Sequence, residues 1–97
     1  MQINISHDFP IQEVLERIKK MILEYKIQYS NDIKNLNEDW TSNSANFHFK
    51  YNNFFISGTL KVNEESVKVN LALPFFLRLF GSQIRSTIEQ KINTILN

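Results

Sequence analysis

Apolar and polar positions alternate along the middle of the chain. Phe47, Phe49 and Tyr51 are separated by His48 and Lys50, and Phe54, Ile56, Gly58, Leu60 and Val62 by Phe55, Ser57, Thr59 and Lys61. Period two marks strands with one face in a core and the other in water. Between the runs stands Asn52-Asn53, and Asn tolerates the positive φ that a two-residue hairpin turn requires. That turn sets Tyr51 opposite Phe54, Phe49 opposite Ile56 and Phe47 opposite Gly58, which brings the inward residues of both strands to one face. After the turn Asn63-Glu64-Glu65-Ser66, Val67, Val69, Leu71 and Leu73 alternate again, pairing Val62 with Val67 and Leu60 with Val69. Pro74 ends this strand.

The flanks change period. Ile3 and Ile5 alternate with Gln2 and Asn4, a short first strand. Asp8 is placed to cap a helix and Pro10 to open its first turn, where a missing N–H costs nothing. Ile11, Val14, Leu15, Ile18, Ile22 and Tyr25 then recur at three- and four-residue steps, predicting an amphipathic helix to about Tyr29. Glu13 precedes Arg17 and Glu16 precedes Lys20 by four, the order that supports a helix. Residues 30–37 read as a polar connection passing into strand by Leu36, followed by Trp40 and a turn at Ser42-Asn43-Ser44. A second helix is predicted from about Phe75 to Leu96, with Leu77, Phe80, Ile84, Ile88, Ile92 and Ile95 on one stripe. The order is β-α-β-β-β-β-α. This is an α+β fold, an antiparallel meander with both helices packed on its greasy face. No linker or repeat divides residues 1–97, so a single domain is expected.

Composition narrows the chemistry. Eight Phe, three Tyr and one Trp predict a core built largely of rings. Eleven basic and ten acidic side chains leave a net charge of +1, so no global field draws in nucleic acid and no nucleic-acid partner is expected, although a local basic patch is compatible with that balance. With no Cys there are no disulfides, thiolate nucleophiles or Cys-ligated metals. No apolar run approaches the roughly 20 residues of a membrane-spanning helix. Met1 to Ile5 shows neither the basic nor the apolar region of a signal peptide, so a cytoplasmic location is expected.

Order and spacing resemble a known family. Ile3-x-Ile5-x-His7-x-Phe9 before the first helix, Trp40 followed by Phe47, Gly58-x-Leu60-x-Val62, Val67-x-Val69-x-Leu71-x-Leu73, and a closing helix with Ile84, Ile88 and Ile92 are similar to the bacterial polyhydroxyalkanoic acid system proteins. The resemblance covers nearly the whole chain. It departs from the family after Trp40, where relatives carry Gly and this chain has Thr41-Ser42. It implies an accessory role in polyester-storage metabolism and brings no catalytic residues, cofactor or metal with it. The start Met1-Gln2-Ile3-Asn4-Ile5-Ser6 also looks like that of the ribosome-hibernation factors. Those have strongly basic helices, whereas Arg17, Lys19, Lys20 and Lys26 are here nearly balanced by Glu13, Glu16 and Glu24.

Candidate sites are few. His7 and His48 lack a companion ligand pattern, and Gly58 and Gly81 form no phosphate loop, so no enzyme is expected. Trp40 reads as part of the core. The register puts Lys61 across from Lys68 on the outer face, with Lys50 on the same side. These lysines either discourage edge-to-edge aggregation or mark an anion or partner site. Phe75 and Leu79 fall opposite the core stripe at 100° per residue, four apart, and form one apolar spot on a helix. They are the candidate contact with a protein partner, a second copy or a granule surface. The expected function is therefore non-enzymatic binding in polyester metabolism. A carrier of small acyl or aromatic ligands is the alternative, though it needs a cavity of about 300 Å³ or more; a ribosome-associated factor stands third.

Overall fold

The structure, a computed structural model, describes residues 1–96. Its elements run β1 (Gln2–Ser6), α1 (Ile11–Gln28), β2 (Ile33–Thr41), β3 (Ser44–Tyr51), β4 (Phe54–Val62), β5 (Ser66–Ala72), a 3₁₀ segment (Phe75–Phe80) and α2 (Gly81–Leu96). The five strands form one antiparallel sheet in the order β1-β5-β4-β3-β2. The first strand thus lies at an edge beside the last, with Ile3 across from Val69 and Ile5 across from Val67. Helix α1 carries the chain from that edge to the opposite one.

The hairpins have the register that their sequence predicts. Asn52 and Asn53 take φ of 49° and 70°, the conformation of a type I′ turn, and Phe47, Phe49 and Tyr51 face Gly58, Ile56 and Phe54. Leu60 faces Val69, Val62 faces Val67 and Lys61 faces Lys68. Ile3, Ile5, Ile56, Leu60, Val62, Val67, Val69 and Leu71 form a core with Val14, Leu15 and Ile18 of α1 and Ile92 and Leu96 of α2. Both helices therefore cover the same face. Phe47 and Phe49 lie at its margin, half-buried and stacked with centroids 6.4 Å apart.

Three polar anchors tie the helices down. Arg17 donates to the Ile95 carbonyl at 2.7 Å, pairs with Glu13 at 2.9 Å and lies 4.2 Å from the Phe9 ring centre. A cation at the last turn of α2 also complements that helix's dipole. On the other side of α1, Lys26 approaches Glu38 at 3.4 Å while Glu38 accepts the Trp40 indole N–H at 3.0 Å and Lys19 sits over the Trp40 ring. Arg85 ties α2 to the Gln2 carbonyl.

The buried core is aliphatic rather than built of rings, which lie at its margin or in water, and three local expectations are also corrected. Pro10, not Asp8, occupies the α1 cap position, with no side-chain cap; its carbonyl accepts the Val14 N–H. Strand β2 begins at Ile33 rather than Leu36, because a bulge between Lys34 and Asn37, with Asn35 at φ 56°, absorbs the residues that look like a loop. The chain after Pro74 starts as a 3₁₀ turn rather than an α-helix, held by the Leu77 N–H on the Pro74 carbonyl and the Gly81 N–H on the Arg78 carbonyl.

Candidate functional site

His7 is a structural residue. It is 7% exposed; its Nδ1 accepts the Phe9 N–H at 3.2 Å, and its Nε2 lies 2.8 Å from the Asn63 carbonyl. Since a carbonyl only accepts, Nε2 is the donor of this pair, and both ring nitrogens are engaged. It staples the end of β1 to the β4–β5 turn, assisted by its own N–H on the Glu65 carbonyl. His48 lies on the outer face against the Asn37 amide at 3.2 Å. Among the described residues no three His, Asp or Glu side chains gather as a metal site.

The first candidate surface is one end of the molecule. Phe75 and Leu79 are 83% and 85% exposed. They do not form one spot, however: at three residues per turn, positions four apart point about 120° away from each other, while positions three apart eclipse. Leu79 therefore aligns with Phe76, and Leu77 is the residue of this segment that packs on the core. Phe76 and Phe80 are also exposed. Phe76 meets Phe54 edge-on, with centroids 4.6 Å apart, which joins the segment to the β3–β4 turn. Tyr51 and Phe54, beyond the reach of the helices, are exposed as well. On α1, Leu23 and Ile27 are exposed, and α1 ends beside the same edge of the sheet, where Ile33 pairs with Tyr51. Apolar side chains thus concentrate at the end that holds the Asn52-Asn53 turn and the start of α2. Phe80, expected on the core stripe of the second helix, is 51% exposed because the chain is still in its 3₁₀ turn there, and Phe54 is expected inward but lies where the helices no longer cover the sheet.

The second candidate surface is the outer face of the sheet, which no helix covers. Lys61 and Lys68 are directly opposed there, as the register requires, and both are exposed. Lys50 is not their neighbour. It pairs with Lys34 across β2 and β3, and its ammonium lies 4.8 Å from the Phe55 ring centre. Lys34 was hidden by reading β2's first residues as a loop. Among the described residues none of these four lysines makes an ion pair within 4 Å. The Lys61–Lys68 pair yields a direct test. Lys61→Glu turns repulsion into cross-strand attraction and raises stability by a few tenths of a kcal/mol, within the roughly 0.2–1 kcal/mol range of such pairs. A urea melt that moves its midpoint down instead shows that Lys61 already has a favourable partner.

Two open depressions accompany these surfaces. One, of about 510 Å³, crosses β3, β4 and β5, where Asn46, His48, Ser57, Thr59 and Asn70 line it together with Phe47, Gly58, Leu71 and Ala72, and the other, of about 560 Å³, lies at the Asn63–Ser66 turn beside Lys68. Neither is enclosed between helices and sheet. Among the described residues no helix is long and apolar enough to cross a membrane.

The model of a family described as "Putative polyhydroxyalkanoic acid system protein" matches residues 1–96. No curated protein and no solved structure shows a comparable match.

Proposed function

The chain belongs to the polyhydroxyalkanoic acid system protein family, and from that membership we propose that it is a non-enzymatic accessory protein that attaches to polyester granules through its apolar end. The observation that carries this reading is the exposure of Phe75, Phe76, Leu79 and Phe80 in one short segment, continued by Phe54 and Tyr51. Exposed apolar side chains clustered at one end promote association, and a net charge of +1 supplies little repulsion against it. A polyester surface is weakly polar and featureless on the scale of a side chain. Rings projecting from several sides of a short 3₁₀ turn can bury on it without a matching pocket. The polar outer face, bearing lysines, would stay in the cytoplasm.

Co-sedimentation with purified polyhydroxybutyrate particles tests the proposal. The wild type is expected to pellet with the particles. Phe75→Ser combined with Leu79→Ser removes two side chains worth about 1.5–3 kcal/mol each when buried, so affinity falls by about 100-fold or more. Neither side chain packs on the core, so circular dichroism and the melting temperature should hardly change. A variant that still pellets refutes the assignment. So does a wild type that ignores the particles and instead forms a dimer broken by the same substitutions; that result would give the surface to a second copy.

A further inference from the structure

We propose that the outer face of the sheet is a binding site for single-stranded nucleic acid, with its phosphates on two lysine pairs and a base on Phe55. The net charge of +1 conceals an uneven distribution. The outer face gathers Lys34, Lys50, Lys61 and Lys68; Asp39, paired with Asn46, is the acid that shares it among the paired residues, and Glu64 and Glu65 border Lys68 at the β4–β5 turn. In both cross-strand pairs, Lys61–Lys68 and Lys34–Lys50, like-charged residues stand directly opposite in register, with the Lys34 ammonium donating to the Ser30 carbonyl at 2.7 Å. Such pairs destabilise a sheet, and a bound anion between the ammonium groups would reverse the effect.

The layout specifies the anion. Lys61 and the position of Phe55 are six residues apart on β4, which at about 3.3 Å per residue separates the two cationic poles by roughly 20 Å. That span suits a strand of about four nucleotides, the short end of the range for small sheet domains. Phe55 is 66% exposed beside the Lys50 ammonium, offering a ring and a charge together. Between the poles run Asn46, Thr59, Asn70, Ser57 and His48, which line the open depression. Their amides and hydroxyls donate and accept hydrogen bonds, as base edges require. A lipid headgroup layer would use the lysines but has no need of that central band. Duplex DNA would not offer unstacked bases to Phe55.

The test is fluorescence anisotropy with a labelled oligouridylate or oligothymidylate of eight nucleotides at 50 mM salt. Four phosphate contacts on a single strand give a slope of log K against log salt of about −2.8, so affinity drops about 50-fold between 50 and 200 mM. Lys61→Gln with Lys68→Gln should halve the slope, reducing that drop to about sevenfold, without loss of stability. Phe55→Ala should weaken binding about fivefold or more while leaving the slope unchanged, because stacking carries no salt dependence. No measurable binding overturns the proposal, as does binding indifferent to these substitutions. Capture of the protein by phosphatidylserine-containing vesicles with no affinity for the oligonucleotide overturns it too and assigns the face to lipid. Lys61→Gln with Lys68→Gln leaves the apolar end untouched, so granule co-sedimentation of that variant reports on the other surface independently.

Discussion

Gly58→Ala should destabilise the protein by about 1–3 kcal/mol, the range for forcing an extra methyl into a packed site. The direction opposes the usual one, since Ala ordinarily improves on Gly within a strand. Gly58 sits in the middle of β4, between Phe47 on β3 and Leu71 on β5. A Cβ there would run into the Asn70 backbone oxygen, come within 2.7 Å of the Phe47 ring and 3.1 Å of a Leu71 methyl. The ring can swing outward, but a backbone oxygen inside a ladder of hydrogen bonds cannot move without disturbing β5. Strand β5 is central, pairing with β1 on one side and β4 on the other, so the disturbance reaches Ile3 and Ile5. Chemical denaturation reads the effect. A midpoint equal to or above the wild type would show that the glycine serves nothing in the folded state. Phe47→Leu in the Gly58→Ala background should recover part of the loss by removing one of the colliding groups.

His7→Ala is the second large effect, expected to cost about 2–3 kcal/mol from a small cavity plus two polar groups left without partners. The Phe9 N–H and the Asn63 carbonyl each lose the bond that the ring supplies. One belongs to the start of α1 and the other to the β4–β5 turn, so the loss loosens a long-range junction rather than a single loop. His7→Asn keeps an acceptor near the Nδ1 position, and His7→Gln can place a donor near the Nε2 position. Each should lose less than alanine does, and neither should match histidine. Thermal melts of the three variants give the order directly. If alanine proves no worse than the amides, the ring is held by packing alone.

Much of this architecture is legible in the residues. Asn52-Asn53 between two alternating runs determines a hairpin and its register, because only a residue tolerant of positive φ fits a two-residue turn and a slip by one would turn every ring outward. The same reasoning places Lys61 against Lys68. The helical stripe of α1, and that of α2 through Ile84, Ile88, Ile92 and Ile95, announce which sides enter the core, whereas Phe80, expected on the same stripe, is exposed.

What the tertiary structure decides is whatever depends on distant partners or on small differences in backbone pitch. The six residues after Pro74, five of them apolar, are too few to distinguish 100° from 120° per residue, and the difference separates Phe75 from Leu79 and puts Leu79 beside Phe76. The edge position of β1 comes from pairing across most of the chain, which no local pattern encodes. Lys34 reaches the outer face only because Asn35 takes a left-handed conformation that lets β2 start early. Net charge, being a sum, carries no position. Folding sorts it, leaving four lysines on the open face of the sheet and the ring-rich segment at one end, where the helices no longer cover it.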